Sequence, residues 1–357
     1  MTGTAMADAP PKTTDMSAGM RATMEAQRNA FLRAGAPSLE ERRADLARLG
    51  DAVKQHVDRL ADAISADFGN RSRYETRLAE IFPVLAAIRH ASAHLPGWMR
   101  PKRVSVGLEL MPASARILYQ PVGVVGIISP WNYPFQLAIM PLVAALAAGN
   151  RVMLKPSELT PRASEFLAEF LAGLFPPDRV ATVVGGPEVG QAFARLPFDH
   201  LFYTGSTAVG RLVMLAAADN LTPVTLELGG KSPCILGEDA MLPTAVHSIV
   251  YGKLLNAGQT CIAPDYVLIP ESRREDFIRL TTEAVQKFYP TLEANPDYTS
   301  IVNERHYRRV AQYVDEAKVR GARVIEVNPA HEPLPAATRK LPPTLVIEPA
   351  DDLSVMR

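Results

Sequence analysis

Three residues of this chain carry side chains suited to acyl chemistry, and each sits in a segment that singles it out. Cys261 closes the run Asn256-Ala257-Gly258-Gln259-Thr260-Cys261, a small, polar, glycine-containing stretch of the kind that keeps a thiol accessible. Accessible thiols in polar surroundings are the reactive ones, because the thiolate is the nucleophile. The other cysteine, Cys234 in Ser232-Pro233-Cys234-Ile235-Leu236, reads as a packed structural thiol. Glu227 interrupts the run Val224-Thr225-Leu226-Glu227-Leu228-Gly229-Gly230, where a buried carboxylate is costly unless it serves as a general base. Asn132 follows Trp131 in a proline-bounded turn. Its amide can donate to a developing oxyanion beside the backbone N–H of Cys261, or it can simply cap its own turn.

Further segments bear on a cofactor. Lys155-Pro156-Ser157-Glu158 brings a cation, a hydroxyl and a carboxylate to one strand end, a set that can hold ribose hydroxyls or stand as a solvated turn. The Gly-x-Gly-x-x-Gly dinucleotide fingerprint is absent. Gly205-Ser206-Thr207-Ala208-Val209-Gly210 has the outer glycines of a phosphate loop, but Arg211-Leu212 replaces Lys-Ser/Thr and rules out a nucleoside triphosphate loop. What remains is a glycine turn opening a helix, which accepts a phosphate on its free N–H groups or is an ordinary tight turn.

These residues need elements to hold them. Short apolar runs at 122–128, 151–154, 180–184, 200–203 and 224–228 alternate with helical stretches near 141–148, 163–174 and 208–217. Such alternation predicts a parallel sheet with helices on both faces, and ligands of open parallel sheets bind beyond the carboxyl ends of the strands. Every turn quoted above falls at such an end, as does Gly185-Gly186-Pro187. Before the sheet, Ser38-Leu39-Glu40-Glu41 is a capping box. It opens one long amphipathic helix through Leu46, Leu49, Val53, Val57, Leu60 and Ile64. A second helix over about 75–94 follows, and this helical layer shows no chemistry. The stretch 104–119, interrupted by Pro112, predicts an edge hairpin serving as an oligomer arm. After residue 240 come helices over 245–256, 273–288 and 304–320 and strands over 266–269 and 344–347. The expected division is a disordered lead-in over 1–20, a helical layer with hairpin and cofactor domain over 21–229, and a catalytic domain over 230–357.

With 357 residues, 47% hydrophobic content and 38 basic against 38 acidic residues, the chain can bury sizeable cores and lacks the charge excess of a nucleic-acid binder. The apolar run from Leu137 to Ala148 contains Pro141 and is too short for a membrane span, so it reads as a buried helix. The N-terminus lacks the basic and apolar regions of a secretory signal, and a free thiol nucleophile needs a reducing compartment, so the cytoplasm is expected. None of the seven histidines adjoins Cys261, and His90 and His94 lack the intervening Glu of a zincin helix, so no metal is expected.

Taken in order, Ser129-Pro130-Trp131-Asn132, Lys155-Pro156-Ser157-Glu158, Phe202-Tyr203-Thr204-Gly205-Ser206, Leu226-Glu227-Leu228-Gly229-Gly230-Lys231 and Gly258-Gln259-Thr260-Cys261 resemble the aldehyde dehydrogenase superfamily. The continuation Ile262-Ala263-Pro264-Asp265-Tyr266 is similar to its class 3 branch and, within that, to bacterial coniferyl aldehyde dehydrogenases. The resemblance implies an α/β fold, with a Rossmann-type parallel-sheet cofactor domain plus a second, incomplete α/β catalytic domain, and oxidation of an aromatic or long-chain aldehyde to the acid. Cys261 would be the nucleophile, Asn132 the oxyanion donor and Glu227 the water activator. NAD or NADP would be the cofactor: Lys155 and Glu158 on the adenosine ribose, Ser206 near the pyrophosphate, Val209 against the adenine, and Ile128, Pro130 and Trp131 on the nicotinamide side. Ser129, Ser157, Gly185, Gly205, Leu228 and Gly229 complete the implied cofactor site. In the family, a run like Leu353-Ser354-Val355-Met356-Arg357 leads into Glu-Glu-x-Phe-Gly-Pro, whose second Glu binds the nicotinamide ribose. The chain is therefore expected to be cut short of that motif and of the arm that makes the full-length protein a homodimer. Two competing readings follow, an inactive fragment or partner-binding pseudoenzyme, and a cofactor-free thiol esterase.

Overall fold

The computed structural model describes residues 13–357. Helix α1 (Thr13–Ala34) occupies part of the expected disordered lead-in. It is ordered because Met20 and Met24 bury against the sheet, and because Gln27 Nε2 donates to the carbonyls of Val152 and Pro177, each at 2.9 Å. Residues 1–12 of that lead-in lie outside the described residues. The capping box at Ser38 and Glu41 forms and opens α2 (Leu39–Gln55). The single long helix expected here is instead two, α2 and α3 (Val57–Phe68). At His56 the ring Nδ1 lies 2.9 Å from Ala52 O, the carbonyl its own backbone N–H would have taken, and that N–H turns to Val53 O. The apolar spacing survives the break, so Leu46, Leu49, Val53, Leu60 and Ile64 share one core. A short α4 (Arg73–Thr76), a π-helical turn over Arg77–Ile81 and α5 (Phe82–Trp98) complete the layer. Strands β1 (Lys102–Val104) and β2 (Ala115–Ile117) pair antiparallel as the expected hairpin.

The sheet follows: β3 (Val124–Ile128), α6 (Gln136–Ala148), β4 (Arg151–Lys155), α7 (Pro161–Ala172), β5 (Val180–Thr182), α8 (Pro187–Ala194), β6 (His200–Gly205), α9 (Thr207–Ala218) and β7 (Val224–Leu228). All pairs are parallel, in the order β5-β4-β3-β6-β7. Because successive strand side chains point to opposite faces, the two cores separate cleanly. Val125, Ile127, Val152 and Leu154 pack with α2, α3, α5, α6 and α7, while Val124, Ile128, Met153 and Leu201 pack with α1, α8 and α9. The chain reverses its direction of travel at β3, so a crevice opens at the carboxyl ends of β3 and β6.

The remainder comprises β8 (Ser232–Ile235), α10 (Leu242–Leu254), β9 (Pro264–Leu268), α11 (Arg274–Phe288), α12 (Glu304–Val319), β10 (Arg323–Glu326) and β11 (Thr344–Ile347). Here β8 pairs parallel with β9, β10 pairs antiparallel with β11, and Leu242, Val246, Val250, Phe277 and Val285 form a third core. Strands β8 and β10 and helix α8 went unread in the sequence. The first carries Pro233, and the second is four residues long and follows directly on a helix. Cys234, expected to be packed, is half-buried on β8.

Candidate active site

A cavity of about 2330 Å³ lies between the carboxyl ends of the sheet and the region that begins at β8. The turn after β3 contributes Ile128, Ser129, Pro130, Trp131 and Asn132, and the turn after β4 contributes Lys155, Ser157 and Glu158. From the β6–α9 turn come Gly205, Ser206 and Val209, and from the end of β7 come Glu227, Leu228 and Gly229. Cys261 enters from the opposite side, on the loop after α10. The three candidate catalytic residues and all but one of the candidate cofactor residues thus face the same space.

Gly185 is the exception. It does not line the cavity, and a Cβ there would come within 2.5 Å of Val189 Cγ2, so its lack of a side chain serves the packing of α8. Its neighbours Pro187, Gly190 and Gln191 reach the cavity in its place. Glu227 also departs from expectation, since it is exposed at the end of the edge strand β7. The apolar run around it was a poor guide to burial because an edge strand has a neighbour on one side only.

Asn132 and Cys261 are tied through one carbonyl. Asn132 Nδ2 donates to Gln259 O at 3.0 Å, two residues before the thiol, and the amide has a second N–H to offer a ligand. Next to it Tyr133 Oη lies 2.7 Å from Thr260 Oγ1, and burial pushes the Tyr133 phenol up to about 12, which keeps it a neutral hydrogen-bonding group. Cys261 itself is exposed, as its polar segment suggested. Gln259 fastens the loop from within: its Nε2 donates to Asn256 O and Ser300 O, and its Oε1 accepts from Val302 N.

Beneath Asn132 lies an ion pair from the helical layer. Arg71 Nη1 donates to Glu80 Oε1 at 3.0 Å and to Asn132 O at 3.1 Å, with both charged side chains fully buried. Glu80 Oε2 accepts the N–H groups of Phe135 and Gln136 and so caps α6 from outside that helix. Burial pushes the Glu80 carboxyl up, while Arg71 and these N–H groups pull against it. Hydropathy pointed the other way, because Leu78 is half exposed while Glu80, two residues on, is buried. Lys253 is a further cavity residue that the sequence reading missed; burial lowers its pKa and Asp265 opposes the shift. Asp265 in turn pairs with Lys231 at 2.5 Å.

The residues present fit a dinucleotide. Lys155, almost wholly buried, holds Glu158 at 2.6 Å and fixes a carboxylate at the rim. Ser206 caps α9 by accepting Val209 N–H, leaving other first-turn amides free for a phosphate. A Cβ on Gly205 would collide with the Tyr203 hydroxyl, which keeps backbone exposed at that turn. Ser129 Oγ is buried with no partner, a vacant polar group facing the same cavity. Among the described residues no cluster of three or more metal-ligating side chains occurs, and no helix is long and apolar enough to cross a membrane.

Residues 2–357 match the aldehyde dehydrogenase family. The chain is 49% identical over 342 residues to a probable coniferyl aldehyde dehydrogenase of Caulobacter vibrioides, covering 95% of this chain and 70% of that protein. It is 46% identical over 335 residues to the coniferyl aldehyde dehydrogenase of Pseudomonas sp., covering 93% of this chain and 69% of that one. Among solved structures it is similar to Staphylococcus aureus AldH in a substrate-bound state, with a TM-score of 0.89 and 35% identity over 95% of this chain and 72% of that chain. It also matches Mycobacterium tuberculosis aldehyde dehydrogenase complexed with NAD+, with a TM-score of 0.84 and 28% identity over 96% of this chain and 71% of that chain.

Proposed function

From the premise that this chain belongs to the aldehyde dehydrogenase family and oxidises aldehydes with NAD or NADP, we propose that Cys261, Asn132 and Glu227 carry the reaction. The observation behind this reading is that all three face one cavity with the strand-end turns, although they come from distant parts of the chain. The Cys261 thiolate attacks the aldehyde carbon; a C–S bond forms and the carbonyl π pair moves to oxygen. The resulting alkoxide is held by the second N–H of the Asn132 amide and the N–H of Cys261. Bound by the strand-end turns with Trp131 on its nicotinamide side, NAD or NADP would supply the acceptor for the hydride that leaves this carbon. Glu227 then takes a proton from water, which attacks the thioester and releases the carboxylic acid and the thiolate. An exposed Glu227 is free to swing between bulk water and the thioester.

The substrate we assign is an aromatic propenal of the coniferyl aldehyde kind, by analogy with the two coniferyl aldehyde dehydrogenases described above; a long-chain aldehyde is the second candidate. The cofactor turns, Lys155 and Glu158 with the ribose and the α9 terminus with the pyrophosphate, leave both NAD and NADP open. We read 21–229 as the cofactor-binding part and 230–357 as the catalytic part, and the hairpin β1–β2, with Leu108, Leu110 and Ile117 exposed, as the arm of a homodimer. Two free cysteines and a thiolate mechanism suit the cytoplasm. The test compares coniferyl aldehyde with decanal, using NAD and NADP in turn. Cys261→Ser is expected to lower turnover by about 10⁴-fold or more. Glu227→Gln should form one equivalent of reduced cofactor and then stall. Full turnover by Cys261→Ser would sink the assignment.

A further inference from the structure

The three residues before Gln259 carry a left-handed backbone that hydrogen bonds between Asn256 and Gln259 close from within, yet these leave the Asn256 N–H without a partner in the loop. Asn256 has φ 54°, Ala257 φ 52° and Gly258 φ 77°, three left-handed residues in succession at the end of α10. Glycine adopts this region freely and asparagine tolerates it, whereas for Ala257 it is disfavoured by about 1–2 kcal/mol, so the turn persists only where hydrogen bonds impose it. Asn256 is also completely buried, and its N–H points away from solvent.

The partner of that N–H lies far away in sequence. Glu75, on α4 of the helical layer, accepts it with both carboxylate oxygens, each at 3.1 Å. The carboxylate is aimed by Thr299, whose Oγ1 donates to Glu75 Oε2 at 3.0 Å. Asn256 then passes the constraint on, because its Nδ2 donates to Asn132 O at 3.0 Å and to Gln259 O at 3.2 Å. Gln259 O is the same carbonyl that receives the Asn132 side chain. Burial pushes the Glu75 carboxyl up, with Arg71 and the hydrogen bonds from Asn256 and Thr299 pulling against it.

We propose that Glu75 is a positioning residue for Cys261: by capturing the Asn256 N–H it imposes the left-handed turn that aims the thiol and the Cys261 N–H at the carbonyl carbon. This rests on Cys261 being the nucleophile. Without an acceptor at position 75, the buried N–H loses its partner, the turn relaxes toward right-handed backbone, and the thiol moves relative to Asn132.

The experiment uses the full chain with coniferyl aldehyde and NAD, comparing Glu75→Leu, Glu75→Gln, Thr299→Val and Cys261→Ser. Displacing a reacting group by about 1 Å is worth about 10²-fold, so Glu75→Leu should lower kcat by about that factor while leaving the aldehyde KM and NAD affinity unchanged. Alkylation of Cys261 by iodoacetamide should slow alongside. Glu75→Gln, which retains an acceptor oxygen, should recover most of the loss. A merely structural Glu75 would lower the melting temperature yet leave kcat per alkylatable thiol intact, and that result overturns the proposal. Should Glu75→Leu fail to fold, Thr299→Val decides: a lowered kcat with unchanged KM supports the proposal, and an unchanged kcat overturns it. If Cys261→Ser retains turnover, the nucleophile assignment and this proposal fall together. If Cys261→Ser is dead while Glu75→Leu or Thr299→Val keeps full kcat, the role of Glu75 alone is refuted.

Discussion

The turns after β3, β4, β6 and β7 and the loop bearing Cys261 face each other across one cavity, and they are held by different means. The cofactor-side turns owe their positions to the sheet: each is the next few residues after a strand whose hydrogen bonds fix it, and their polar groups are local partners such as Lys155 with Glu158 or Ser206 with Val209 N–H. The Cys261 loop follows a helix, α10, and not a strand. It is held by contacts from elsewhere, with Glu75 on Asn256, with Asn132 (itself resting on Arg71) on Gln259 O, and with Gln259 reaching the 300–302 segment. A wall that must exchange a cofactor can be open and locally stabilised, whereas a nucleophile aimed at one carbon needs a rigid support.

The strongest way to break this contrast is Glu80→Ala. It strands the buried Arg71 charge and uncaps α6, and should lower the unfolding free energy by about 3–5 kcal/mol in urea denaturation. A loss no larger than that of an exposed pair such as Lys54–Asp51 would mean that the support beneath Asn132 is not rigid. On the other wall, Lys155→Met should act on binding. Losing a hydrogen bond to a charged group is worth about 1.5–3 kcal/mol, or roughly 10- to 100-fold in cofactor KM, with kcat little changed. If kcat fell and KM held, the two walls would not divide the work as described.

The smallest expected effect concerns pH. Burial raises the Glu75 carboxyl above its ordinary value, so the folded state holds this proton more tightly than the unfolded chain does. Its contribution to stability is present in full below the unfolded glutamate pKa of about 4.3 and is lost as pH rises through the raised folded value. Glu75→Gln does not titrate, so it should match the wild type near about pH 4 and gain on it toward about pH 8, read as the difference in urea midpoints. A gap independent of pH would show that the carboxyl is not raised.

How much was legible before folding follows the same division. Parallel strands announce themselves as short apolar runs, and the ends of those runs located every cofactor-side turn; even the misplaced Gly185 lies just past a strand end, although it packs against α8 and does not line the cavity. The break at His56 was hidden because the apolar spacing of α2 continues through α3, and the burial of Glu227 was overestimated because its strand lies at the sheet edge. The helical layer offered no chemical signal at all, yet it supplies Arg71, Glu75 and Glu80.

The sequence by itself determined the alternation of strand and helix, the contents of the strand-end turns and the choice of Cys261, Glu227 and Asn132 as candidates for the proposed chemistry, because these depend on local pattern and on chemistry within a few residues. Only the tertiary structure decided that three charged residues of the first helical layer sit buried beneath the nucleophile loop. Their partners are contributed from 9 to 224 positions away, as with Arg71 on Glu80 and Thr299 on Glu75, and the free energy that keeps a buried charge in place resides in those long-range hydrogen bonds.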